Sequence, residues 1–371
     1  MANTLITLKT IAREALPRLA ENLAFPSLVY RDFKNEFSDF GSTIQARLPV
    51  ALAASEFDPA SGISYDDIEE KTVDVTLDKI ATVDSAASAI ETATGIDDLN
   101  RVFVEPAAAA LAEKINADGL LLYRDIPTCV GTAGTTPATL AVLASARKQL
   151  NIQKVPVAGR AGLWDPEADA AFSTLDAIVH ADKSGSNQAL REGSIGRVMG
   201  MDHYMSQAVK KHVTGVTAAT AVKVNGAVSA GATKLSIDAT TLTGKLVKGD
   251  LIKIGANTFT VTSDSAAAAA NAIADIAVYP ALPAVADNAD VTLIASHTAN
   301  LVFHPKAFAF VTRPLHNPDG EGVASYVTSF GGITLRVTKG YNQQYKKSVY
   351  SMDVLYGYKT VCPELACRVL G

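Results

Sequence analysis

The chain has 371 residues, enough for two or three domains around a buried core. Lys and Arg total 33 against 38 Asp and Glu, a net charge of −5, so the overall charge gives no sign of a nucleic-acid binder. Cys129, Cys362 and Cys367 lack metal-ligand spacing and read as reduced thiols. The N-terminus shows no secretory pattern, and no run of 18 apolar residues marks a membrane span, so a soluble cytosolic product is expected.

The charge is uneven. Residues 1–213 hold 20 basic and 28 acidic side chains, residues 214–298 hold 5 and 6, and residues 299–371 hold 8 and 4. That polarity suits head-to-tail contact between copies, and a solvated surface explains it equally well.

Asn3 can cap a short amphipathic helix with Leu5, Leu8, Ala12, Leu16 and Leu19 on one side, limited by Pro17 and Pro26. From 42 to 80 the pattern turns to alternation. Residues 43–48 and 72–77 read as two strands of a long hairpin whose polar tip carries Asp66, Asp67, Glu69 and Glu70. Such a hairpin has too little core to stand alone and is expected to lie across another surface, mainly on a neighbouring copy.

Residues 95–125 carry the strongest helical signal. Leu99, Val102 and Phe103, then Ala107, Leu111 and Ile115, recur at helical spacing after a cap at Thr94 and Asp97. An unbroken helix here would span roughly 45 Å at 1.5 Å per residue. Pro106 either starts a shorter helix or bends a longer one, and the bent long helix is favoured because the apolar pattern precedes it. At least one of the alanines at 107–110 is expected to pack closely on a neighbouring element.

A Thr-rich loop leads to a helix over 138–150. Asp165-Pro166 marks a second helix start, expected to run to about Ala181. Composition shifts at 216–297, which are rich in Ala, Thr, Val and Gly. Short strands at 233–237, 250–254, 258–262 and 291–295 read as a small all-β module, barrel or sandwich, inserted into a host whose pattern resumes at Asn300. The tail holds strands at 333–337 and 349–355, and 364–370 closes it as a strand or short helix.

Motifs for chemistry are missing. Gly193-Ser194-Ile195-Gly196 has the wrong spacing for a nucleophile elbow, and Gly244-Lys245 lacks the rest of a phosphate loop. The six histidines include no i,i+4 pair and no nearby cysteine partner. His304 before Pro305 reads as a structural histidine. No catalytic, cofactor-binding or metal-binding residue is expected, no cofactor, and no enzyme.

The segments ALREGSIGRVMGMDHYMSQ at 189–207, NLVFHPKAFAFVTRPL at 300–315 and 331–371 resemble the coat proteins of short-tailed bacteriophages that carry an inserted β-domain. WDPEADAAF at 164–172 and the segment at 97–120 are similar to further stretches of that family, in the same order.

The resemblance implies an α+β, Hong Kong-97-like capsid fold. Its parts would be an N-terminal arm (1–35), an extended loop (36–80) and a peripheral domain with a long spine helix (81–140). An axial domain (141–215) would be interrupted by an inserted β-barrel-like domain (216–297), and 298–371 would return through the axial and peripheral domains. It further implies a structural major capsid protein of the virion, made and assembled in the bacterial host cytoplasm. Its partners would be itself in pentamers and hexamers, a scaffolding protein, a portal, and packaged DNA without sequence-specific binding; no membrane is implied. Two other readings are an encapsulin-like protein shell and a non-viral binding or adhesion protein using the β-module.

Overall fold

The computed structural model describes residues 12–13, 15–19, 23–31, 43–47, 72–88, 104–184, 191–316, 323–330 and 332–371. They fall into two compact units: residues 1–17, 30–108 and 308–362 form the first, and 18–29, 109–307 and 363–371 the second.

In the first unit, Lys347–Thr360 organises an antiparallel sheet. It pairs with Lys79–Ser88, Ile333–Asn342 and Phe308–Arg313, and Ala324–Phe330 lies outside Ile333–Asn342. Its alternating Val, Tyr and Met residues suit a half-buried pleated surface, and Met352, Val354 and Tyr356 are buried. Across the sheet, Arg336 Nε and Nη2 both donate to Asp353 Oδ2, at 3.0 and 2.6 Å.

The expected hairpin strands are present as Thr43–Arg47 and Thr72–Thr76, paired antiparallel from Thr43↔Thr76 to Arg47↔Thr72. Val75 is fully buried against Ala309 and Val311 of the same unit, so the near end of the hairpin is seated on its own chain. The tip, 48–71, lies outside the described residues, as does the start of the N-terminal helix.

The long helix is described as Glu105–Leu120, followed by a 3-10 turn at Leu121–Asp125. Pro106 stands in its first turn, where a missing N–H costs nothing. The upstream half of the favoured bent helix, up to residue 103, lies outside the described residues. Of the alanine run, Ala107 and Ala108 are buried while Ala109 and Ala110 are exposed.

In the second unit a mixed seven-stranded sheet has His297–Phe303 near its centre, between Ala366–Leu370 and Ala161–Trp164. Cys129–Gly131 pairs parallel with Ala366–Leu370, and Met201–Met205 parallel with Ala161–Trp164. Helix Leu140–Ile152 buries Leu143, Ala146 and Leu150 in a core shared with Trp164, Phe172 and Val302. Helix Pro166–Ser173 starts at Asp165 as expected but ends eight residues short of Ala181, and two four-residue helices, Asp176–Val179 and Ala181–Ser184, take its place. The break falls where Leu175 leaves the helical region at ψ 130°.

Residues 216–297 form six antiparallel strands in the order Lys223–Val224, Lys234–Asp238, Ala272–Tyr279, Asn257–Val261, Leu251–Ile254, Val291–Leu293. A bridge between Lys223 and Asp290, with Val291 N donating to Val222 O, links the first strand to the last and closes the sheet into a barrel. Val216–Thr220 and Thr241–Gly244 pair beside it. Ile237, Ile252, Phe259 and Ile276 lead its core, and every residue of that core comes from within the module.

Candidate functional site

The unusual chemistry of this chain is buried where the β-module meets the body of the second unit. Arg368 lies on the closing strand Ala366–Leu370 and is wholly buried. Its Nη1 donates to Gly249 O at 2.9 Å, and its Nη2 donates to Tyr123 O at 2.5 Å and Ile126 O at 3.1 Å. The guanidinium carbon sits 4.9 Å from the centre of the Tyr123 ring, a cation–π contact. One cation therefore ties the 3-10 turn after the long helix, the module's 247–250 turn and the last strand together. Burial pulls its pKa down to about 10, still well above neutrality, so it stays charged.

A second chain of bonds runs beside it. His212 stands between Tyr123 Oη, 2.9 Å from Nδ1, and Asp250 Oδ1, 2.8 Å from Nε2. A carboxylate only accepts, so the Nε2 side of the ring donates to Asp250, and the Tyr123 hydroxyl can donate to or accept from Nδ1. Asp250 Oδ2 accepts from Val247 N at 2.8 Å, bracing the turn that presents Gly249. His297 sits across from His212 in the strand register, with ring centres 5.3 Å apart. Its Nδ1 donates to Ala295 O at 2.8 Å, which leaves Nε2 facing Arg368 Nη1 at 3.5 Å. Desolvation, then the nearby Arg368 and His212, hold its pKa at about 4, so the ring is neutral at pH 7.

Further contacts ring this cluster. Thr260 Oγ1 donates to Arg124 O at 2.7 Å, and Lys248 Nζ lies 3.0 Å from Asp125 Oδ1. Gly249, at φ +96°, lies so close to Arg124 that an added Cβ would be 2.6 Å from its Cγ. Both the left-handed conformation and the close approach require glycine here.

A Tyr–His–Asp relay has the connectivity of a nucleophile, base and orienting acid. Here Tyr123 is 2% exposed, His212 3% and Asp250 1%, so no reacting group can reach the hydroxyl. A separate open cleft of about 380 Å³ is lined by Ala24, Ala112, Glu113, Asn116, Met205 and neighbours. Glu113 is the one titratable group among its lining residues, and Asn116 Oδ1 is already committed to Phe25 N at 3.2 Å.

Among the described residues no group of three or more His, Cys, Asp and Glu is placed to hold a metal, and no helix is long and apolar enough to cross a membrane. Cys129, Cys362 and Cys367 form no disulfide, and burial pushes the Cys129 and Cys367 thiols up. His304 is buried and accepts from Lys306 N at Nδ1 (3.3 Å). The junction was not foreseen from sequence, because its five side chains come from positions 123, 212, 250, 297 and 368 and share no spacing.

No protein-family model matches the sequence, and no curated protein matches it. Solved structures do. A chain from Mycobacterium phage Che8 aligns over 94% of this chain and 90% of its own, with 17% identity and a TM-score of 0.54. The capsid of Cyanophage P-SCSP1u aligns over 90% and 84%, at 14% identity and TM-score 0.49. The capsid of Ralstonia phage GP4 aligns over 93% and 87%, at 12% identity and TM-score 0.49. Of these three, the Che8 alignment carries the argument. The chain has the fold of a tailed-phage capsid protein.

Proposed function

We propose that this chain is the major capsid protein of a tailed bacteriophage, a structural protein whose copies build an icosahedral shell around phage DNA. The observation that carries the reading is the fold likeness that runs end to end, over 94% of this chain and 90% of the Che8 chain. The resemblance of 189–207, 300–315 and 331–371 to short-tailed-phage coat proteins supports it, and so does a hairpin with too little core to stand alone.

Residues 1–35 then serve as an arm, 36–80 as an extended loop, 81–140 as a peripheral domain, 141–215 and 298–371 as axial and returning segments, and 216–297 as an inserted domain. Pentamers and hexamers form by self-association. A scaffolding protein and a portal are the further partners, and assembly takes place in the host cytoplasm before the chain resides in the virion. The charge polarity between 1–213 and 299–371 suits such head-to-tail association, as it equally suits a solvated surface.

The test is the content and form of particles recovered from cells expressing the phage genes. Closed shells containing DNA support the reading. Shells filled with a cargo enzyme instead of DNA would replace it with a cargo compartment.

A further inference from the structure

At the seat of the β-module, the donors and acceptors around His297 leave no place for a second proton. Nδ1 is fixed as a donor by Ala295 O at 2.8 Å, and Nε2 points at Arg368 Nη1, which can only donate. A proton on Nε2 would set an imidazolium against a buried guanidinium. The other titratable groups facing this point are His212 from strand Lys211–His212, Asp250 from the 247–250 turn, Tyr123 and Asp125 from the 3-10 turn, and Cys129 from its short strand. Asp250 is the carboxylate closest to relieving the repulsion, but its oxygens are already taken by His212 and Val247. His212 differs from His297. Its Nε2 faces the Asp250 carboxylate and its Nδ1 a hydroxyl that can donate or accept, so neither nitrogen opposes a fixed cation.

The geometry points to an acid-sensitive latch: protonation of His297 Nε2 displaces Arg368, frees the Gly249 carbonyl and loosens the β-module from the 3-10 turn and the closing strand. The module itself stays folded, because its core draws on no residue outside 216–297. In mild acid the junction therefore opens while both parts keep their own structure.

The sign follows from linkage. The closed ring has its pKa at about 4, below the ordinary histidine value, so the closed form is favoured at high pH and loses ground as pH falls through about 6.5. With 6.5 for the open state, the opening constant rises about 30-fold between pH 7.5 and pH 5.

Hydrogen exchange of the full-length chain, corrected for the intrinsic pH dependence, reads this directly. Peptides covering 121–126, 247–251 and 366–370 should lose protection by about that factor at pH 5, while Asn257–Val261 in the module and Leu140–Ile152 in the body keep theirs. His297→Gln should remove the pH dependence at the junction. Uniform loss across all these peptides, constant protection at the junction, or an unchanged slope in His297→Gln would each overturn the latch. If that variant does not fold, exchange at the His297 ring carbon in the unsubstituted chain decides: a midpoint well below 6 supports the latch, and one in the ordinary histidine range of about 6–7 removes it.

Discussion

The carbonyl oxygen of Thr76 occupies the space that a side chain on Gly357 would need. A Cβ built there would overlap Thr76 O and lie 2.9 Å from its carbonyl carbon. Both neighbours are backbone, so neither can swing aside. This contact brings the base of the hairpin against the long strand Lys347–Thr360. Gly357→Ala is therefore expected to push Thr72–Thr76 off that strand, at a cost of about 1–3 kcal/mol by overpacking. Thermal denaturation of the variant, with hydrogen exchange over 72–88, checks both the size and the place of the loss.

Arg368 holds three carbonyls in a fully buried site. Arg368→Ala leaves them unpaired in a buried site and should cost about 3–5 kcal/mol. Urea denaturation should show the full-length chain destabilised by that amount. An excised 216–297 fragment does not contain the residue, and it should give a dispersed amide spectrum on its own. A collapsed spectrum would show that the module needs its seat in order to fold.

Trp164 is the single tryptophan of the chain, and its Nε1 donates to His203 Nδ1 at 2.9 Å. His203 Nε2 in turn donates to Val198 O at 3.2 Å, so the ring is neutral. Desolvation lowers its pKa, which means its contribution is complete above about 6.5 and declines as pH falls below that value. Tryptophan emission should shift to the red on acidification, and His203→Gln should move that transition to lower pH. An emission unchanged down to complete acid unfolding would contradict the assignment.

The alanine run supplies a paired test. Ala107 is 2% exposed, whereas Ala110 faces solvent. Ala107→Leu should cost about 1–3 kcal/mol, while Ala110→Leu should stay within about 0.5 kcal/mol. Melting temperatures of the two variants separate the faces.

Those faces illustrate how far sequence alone reaches. Periodicity placed the helix and the small residues, but with four consecutive alanines it could not say which of them turn inward. The hairpin strands were legible because alternation over five residues fixes a face. Strand Ala272–Tyr279 was not among the expected strands. Its alanine-rich surroundings carry little β-propensity, and it exists because Lys234–Asp238 and Asn257–Val261 pair with it from both sides. The Asp165-Pro166 start was legible from local capping, whereas the end at Ser173 depends on how Leu175 turns away. The junction was illegible for a stronger reason. Tyr123, His212, Asp250, His297 and Arg368 are each unremarkable in sequence, and only the folded chain brings them within hydrogen-bonding distance.

The central claim, that this chain builds a shell, is tested most directly by electron microscopy of the particle fraction from cells expressing it with its neighbouring phage genes. Closed icosahedral particles made chiefly of this chain are expected. Image reconstruction should show hairpin 43–76 reaching from its own sheet onto the adjacent subunit. A small, monodisperse species at every protein concentration and salt level, with no rings, sheets or shells, would contradict it.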